Sequence, residues 1–123
     1  MESAKKKTVV LGASPNPGRY SYLAVEKLDK HQHPVVAIGR EAGKVGDINI
    51  TSETQPLADI DTVTLYLSPK NQPQYYDYIL SLKPKRIIFN PGAENDELAA
   101  LAESKGIQPV EACTLVMLST GQY

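Results

Sequence analysis

The chain has 123 residues, 41% hydrophobic and 22% charged, a size and balance that suit one globular domain with its own core. A formal net charge of -1, with Lys5-Lys6-Lys7 as the only clustered positive run, excludes a general electrostatic attraction to nucleic acid. The single cysteine excludes an intramolecular disulfide framework and a cysteine-based zinc site, and no apolar run approaches the ~20 residues of a membrane span.

At the N-terminus Met1-Glu2-Ser3-Ala4 lacks the apolar core of a secretory signal, so a cytoplasmic location is expected. Thr8-Val9-Val10-Leu11 then forms a short β-branched run ending in Gly12. Tyr20, Leu23, Ala24 and Leu28 are spaced for one face of a helix, with His31 and His33 at its end, where they suit the negative pole. Pro34-Val35-Val36-Ala37-Ile38 is a second apolar run, ending in Gly39. The segment from Arg40 to Asp61 breaks the rhythm; Val45 to Ile50 predicts one short edge strand and Pro56 to Ile60 a helical turn. Asp59 and Asp61 read as turn and strand-edge residues.

Thr62-Val63-Thr64-Leu65-Tyr66-Leu67 follows, ending in Ser68-Pro69. Tyr75, Ile79 and Leu82 predict a helix with Pro73 near its start and Pro84 beyond its end. Tyr75, Tyr76 and Tyr78 cannot all face the core of one helix, so at least one is expected to be exposed, which points to a homodimer or partner surface. Arg86-Ile87-Ile88-Phe89 ends in Asn90-Pro91-Gly92. Leu98, Leu101 and Ala102 make a third helical stripe, opened by Asn95-Asp96-Glu97 and closed by Gly106 in a left-handed C′ position. Ile107 to Val110 is the last run.

Short apolar runs stopped by Gly or Pro, alternating with helices, predict an α/β fold in which residues 1–123 form one domain. The expected architecture is a Rossmann-like doubly wound open sheet, mainly parallel, of about five strands in the order 3-2-1-4-5 with helices on both faces. Ligands of such sheets bind at the carboxyl ends of the strands where the winding reverses, here between the first strand and Thr62–Leu67. The turns meeting there are Gly12 to Arg19, Ser68 to Gln72 and Asn90 to Glu94.

The first of these turns suits a phosphate. Gly12 admits close backbone approach, Ser14 and Asn16 offer side-chain hydrogen bonds, Arg19 adds charge, and the following helix presents free N–H groups and its positive pole. The turn is neither G-x-G-x-x-G nor a P-loop, because Ser14 replaces the second glycine and no Gly-Lys-Ser/Thr follows. After the second run come Arg40 and Lys44 around Glu41 and Gly43, rather than the acidic residue that usually meets a dinucleotide ribose. Cations here suit an extra phosphate on the adenosine ribose, as in NADP or in the 3′-phosphate of coenzyme A, or else are two solvated loop residues.

Val10 to Pro17 followed by Arg19-Tyr20-Ser21-Tyr22, then Ala42-Gly43-Lys44, Asp61-Thr62-Val63, Gly92-Ala93-Glu94-Asn95 and Val110 to Leu118, resembles the small stand-alone CoA-binding proteins. These are similar to the N-terminal CoA-binding domain of the succinyl-CoA synthetase α subunit, and the likeness spans nearly the whole chain. It implies a CoA pyrophosphate and adenosine near Gly12, Ala13, Ser14, Arg19 and Tyr20, with Lys44 near a CoA phosphate. By the same resemblance Leu67, Ser68 and Pro69, then Asn90 and Pro91, line the adenine and pantetheine side. The synthetase's phosphorylated histidine belongs to a second domain lacking here, and neither His31 nor His33 stands in for it.

Cys113 reads as a small buried hydrophobe near the last strand, with a mixed disulfide to CoA as the chemical alternative. No Ser-His-Asp, Cys-His or metal constellation assembles from these residue types. The sequence therefore predicts a CoA- or acyl-CoA-binding protein without a complete catalytic site, acting as sensor, carrier or accessory subunit. The alternatives are an NADP-binding oxidoreductase fragment or redox sensor, and a pure interaction domain that has lost its ligand.

Overall fold

Runs such as Thr8-Val9-Val10-Leu11 offer no polar face to water, so they are stable only where both sides of the strand are covered. A computed structural model, describing residues 5–123, shows that arrangement; Met1 to Ala4, read above for the lack of a leader, lie outside the described residues. Strand β1 (Thr8–Leu11) leads into helix α1 (Tyr20–Lys30), and β2 (Val35–Ile38) follows. Next come β3 (Gly43–Val45), β4 (Ile48–Thr51) and β5 (Thr62–Leu65). Two short 3₁₀ turns, Pro69–Asn71 and Pro73–Tyr75, precede α2 (Tyr76–Leu82). The chain continues through β6 (Arg86–Phe89), α3 (Asp96–Ser104), β7 (Gln108–Glu111) and α4 (Thr114–Ser119).

The strands form one sheet of seven in the order β3-β4-β2-β1-β5-β6-β7, which corrects the expected five in the order 3-2-1-4-5. The extra strand on one side arises because Val45 to Ile50 is not one edge strand but a hairpin. Its turn is Gly46-Asp47, with Gly46 at φ +58°, and β3 returns antiparallel to β4 while every other pair is parallel. The helical turn expected over Pro56 to Ile60 does not form either. That segment is irregular, with Asp59 at φ +61°, and it is held by the Tyr78 hydroxyl donating to Gln55 O (2.7 Å) and Lys7 Nζ donating to Ala58 O (3.1 Å).

The centre of the sheet is wound as expected. β1 pairs with β2 on one side and β5 on the other, and Leu11 stands level with both Ile38 and Leu65. The turns leaving these three strands therefore begin at one height, at the carboxyl edge.

Alternate residues serve two cores. Val9, Leu11, Val63, Leu65, Ile87 and Phe89 meet Ile79 and Leu82 of α2 and Leu98 and Ala102 of α3. On the other face Val10, Ala37 and Ile88 meet Val25 and Leu28 of α1 and Leu118 of α4. Helix α3 starts as its sequence implies: the Asn95 Oδ1 accepts from Leu98 N (3.1 Å), Asp96 and Glu97 occupy the first turn, and Gly106 follows at φ +77°. Helix α1 buries Ser21, Ala24, Val25 and Leu28, whereas Tyr20 and Leu23 are 74% and 38% exposed. Tyr20, the residue expected to open the apolar stripe, instead lines a cleft at the carboxyl edge of the sheet.

Candidate ligand-binding cleft

The turn after β1 is shaped by close backbone approaches on both sides. Gly12 has φ +98°, and a Cβ there would lie 2.9 Å from the carbonyl carbon and oxygen of Tyr66. A Cβ on Gly39 would fall 2.0 Å from Ala13 O. The Gly12 and Ala13 N–H groups both donate to Ile38 O, at 2.8 and 2.9 Å. Asn16 closes the turn on itself: its Oδ1 accepts from Gly18 N (2.9 Å), and its carbonyl accepts from Arg19 N (3.0 Å).

Helix α1 begins directly behind this turn. Its N-cap, Arg19, is extended and makes no side-chain cap, so no side chain of its own covers the N–H groups of the first helical turn. Such an end favours an anion through its donors and its dipole, on the order of 0.3–1 kcal/mol for an exposed charge.

Two connected cavities of about 280 and 570 Å³ open here, sharing Gly12, Ser14, Arg19, Tyr66, Leu67 and Ser68. The smaller runs on to Tyr20, Pro91 and Ala93, and the larger to Arg40, Glu41 and Asn71. A third lobe of about 350 Å³ continues past Arg40 to Gln74 and Tyr75. The volumes fall in the range of small-molecule sites, ~300–1,000 Å³.

The polar groups at the centre of the cleft are arranged as donors. Ser14 Oγ accepts from Asn16 N (3.1 Å) and Ser68 Oγ accepts from Asn71 Nδ2 (3.0 Å). Each hydroxyl thereby uses a lone pair on the protein and keeps its proton for a ligand. Arg19 and Arg40 add two cations, against the single carboxylate of Glu41. Burial pushes the Tyr66 phenol far above its ordinary value, so it stays neutral. Its hydroxyl is enclosed beside Thr114, and among the described residues no group meets it in hydrogen-bonding geometry.

Of the residues expected at the site, Gly12, Ala13, Ser14, Arg19 and Tyr20 come together with Arg40, Leu67, Ser68 and Pro91. Four lie elsewhere. Asn16 is exposed and occupied in the turn, and Pro69 begins a 3₁₀ turn just outside the cavities. Lys44 is exposed on β3, opposite Asn49. Asn90 is buried with its polar atoms turned inward: Nδ2 donates to Thr64 Oγ1 (2.6 Å) and Leu65 O (2.8 Å), and Oδ1 accepts from Thr114 N (2.9 Å). It ties β6 to β5 and to the start of α4.

Tyr66, Asn71 and Ala93 belong to the cleft without having been singled out in the sequence; their position directly after β5 and β6 was the available signal. Tyr75, Tyr76 and Tyr78 are all half-buried against the core, which corrects the expectation that one is exposed. Two of them pair an apolar ring against the core with a hydroxyl at the surface: Tyr76 donates to Glu97 Oε1 (2.9 Å) and Tyr78 to Gln55 O. Cys113 is half-buried at the N-cap of α4 and outside the cleft walls, where the sequence suggested a buried hydrophobe. His33 is at the opposite edge of the sheet, its Nδ1 accepting from Lys6 N (2.9 Å) and its ring 4.9 Å from that of Tyr123. Among the described residues no group of three or more His, Cys, Asp or Glu is placed to hold a metal ion, and no helix is long and apolar enough to cross a membrane.

Comparison with known proteins gives three kinds of result. A family model described as a CoA binding domain matches residues 6–119. No curated protein matches the chain. Among solved structures, an uncharacterized protein is 52% identical with a TM-score of 0.95, covering 98% of this chain and 100% of that one. A hypothetical protein from Pyrococcus horikoshii OT3 is 22% identical with a TM-score of 0.84, over 94% of this chain and 83% of that one. A conserved hypothetical protein from Pyrococcus furiosus is 22% identical with a TM-score of 0.77, over 90% and 97%. The last two show the shared fold.

Proposed function

The chain belongs to the CoA binding domain family, and from that premise we propose that it binds coenzyme A or a short acyl-CoA across the turns after β1, β5 and β6. The observation that carries the reading is the donor set: two serine hydroxyls with protons to give, two arginines and an uncapped helix start surround one cavity system. The phosphates and the polar arm of CoA need such a set between them, and each charge-assisted contact contributes about 1.5–3 kcal/mol at most. A few of these together with burial of the adenine reach the roughly -8 kcal/mol of a micromolar complex.

In this reading Gly12, Ser14 and the start of α1 take the pyrophosphate. Arg40, with Lys44 as a second cation further out on the same side, attracts the ribose phosphate. Tyr20, Leu67 and Pro91 flank the remaining arm of the ligand. Bound CoA would supply a thiol able to carry an acyl group. The protein would act in the cytoplasm as a sensor, carrier or accessory subunit.

Native mass spectrometry of the purified protein with CoA and with NADP, each at 50-fold excess or about that, tests this directly. One CoA per chain and no NADP adduct is expected. An NADP adduct without a CoA adduct would overturn the proposal in favour of a nicotinamide-dependent protein.

A further inference from the structure

Gln72 is fully buried between the two 3₁₀ turns, and its amide is saturated. Nε2 donates to Leu67 O (2.9 Å) and to Ala93 O (2.8 Å), while Oε1 accepts from Asn95 Nδ2 (2.8 Å). Leu67 and Ala93 are walls of the same cavity, one in the turn after β5 and the other in the turn after β6. Among the described residues, every side-chain hydrogen bond between residues 67–72 and residues 91–95 passes through this one amide. The chain of contacts continues outward: Asn95 caps α3 and also donates to the Tyr76 hydroxyl (2.8 Å), which donates to Glu97.

We infer that Gln72 is a positioning residue that sets the width of the cleft, holding the Leu67 turn and the Ala93 turn at a fixed separation for the arm of the ligand between them. It touches no ligand itself. The chemistry of the position explains the residue type: two carbonyl oxygens need two donors from one nitrogen, and Asn95 needs an acceptor opposite. Only a primary amide of this length supplies both. A carboxylate would set an oxygen against two carbonyl oxygens, and an apolar side chain would leave the buried Ala93 carbonyl and the part-buried Leu67 carbonyl without this donor. The part of the inference that concerns a ligand rests on the CoA reading above; the part that concerns the coupling of the two turns does not.

The test uses Gln72→Met and Gln72→Glu in the full chain. Without ligand, hydrogen exchange of backbone amides in residues 67–71 and 92–95 should quicken together in Gln72→Met, with the amides after β1 unchanged. Well below the melting temperature, calorimetry should find CoA bound about tenfold more weakly by Gln72→Met, and inorganic pyrophosphate, which needs only the Gly12 to Tyr20 turn, bound as before. Gln72→Glu should approach wild-type CoA affinity at low pH, where a protonated carboxyl regains one donor, and lose it as pH rises, relative to wild type at each pH. Unchanged exchange in both segments, or equal losses for CoA and pyrophosphate, would overturn the positioning role. If the two segments loosen together but the wild type binds no CoA, the coupling stands and the ligand reading fails.

Discussion

Replacing Gly39 by alanine puts a Cβ 2.0 Å from the Ala13 carbonyl oxygen, a backbone atom that cannot swing aside. A carbon and a carbonyl oxygen normally meet at ~3.3 Å, so the end of β2 and the phosphate-shaped turn must separate by about 1.3 Å. Resistance comes from the Gly12 and Ala13 N–H groups, both bonded to Ile38 O one residue before the substitution. Overpacking of this kind costs about 1–3 kcal/mol, and losing one of those hydrogen bonds adds about 0.5–1.5, for a total of about 1.5–4.5 kcal/mol. At about 4 °C per kcal/mol for a domain of this size, the melting temperature should fall by about 6–18 °C. Because the displaced element is the turn proposed to receive the pyrophosphate, CoA affinity measured by calorimetry on the folded protein should fall at least ~10-fold. Gly46→Ala is the control. It carries positive φ (+58°) but meets nothing within 4 Å, so it should cost about 1 kcal/mol and leave ligand binding alone. A Gly39→Ala protein that melts within about 2 °C of wild type and binds CoA equally well would refute the geometry on which the site is built.

Other substitutions separate binding from support. Arg40→Ala should weaken CoA about tenfold in a filter-binding assay while leaving dephospho-CoA nearly unchanged; equal losses for both would remove the arginine from the ribose phosphate. Asn90→Ala removes the side-chain partners of the Leu65 carbonyl and the Thr114 N–H and leaves the Thr64 hydroxyl only Thr114 Oγ1, so urea denaturation should show about 2–4 kcal/mol less stability. A loss of CoA affinity with stability intact would instead place Asn90 at the ligand. His33 is held below its ordinary 6.5, first by burial and then by Lys5, His31, Lys6 and Arg86, all positive when charged. The unfolded chain then binds the proton more readily, so this contribution to stability is complete above pH 6.5 and is lost as pH falls through the lowered value. Melting temperatures between pH 7.5 and 5 should fall more in wild type than in His33→Gln, and parallel curves would exclude the histidine.

The positions of the central strands were legible, though not those of the β3–β4 hairpin, because buried parallel strands must be apolar on both faces and must stop where the chain turns. Thr8 to Leu11 and Arg86 to Phe89 satisfy both conditions in their own residues. The position of the cleft followed from the winding of those strands, and the turn residues Gly12, Ser14, Arg19 and Ser68 came with it. Features that depend on distant partners were not legible. The α1 stripe is centred on Ser21, Ala24, Val25 and Leu28 rather than on Tyr20 and Leu23, because the face that meets Val10, Ala37 and Leu118 is set by how the helix seats on the sheet. Helix α4 has six residues, too few for a period to show, and part of its seat is the Thr114 contact with Thr64 (2.8 Å) and Asn90. Asn90 and Gln72 are both carboxamides close to the cleft. Only the carbonyl oxygens around them, contributed by other strands and turns, show that both face inward.

The donor-lined turn after β1 and the cation after β2 are proposed together to select a cofactor bearing a ribose phosphate, and CoA before NADP. Isothermal titration of the wild-type chain with CoA, dephospho-CoA and NADP under identical conditions measures this selection. One CoA site per chain with micromolar affinity is expected, with weaker binding of dephospho-CoA and of NADP. NADP binding more tightly than CoA, or no heat with CoA at millimolar concentration, would contradict it.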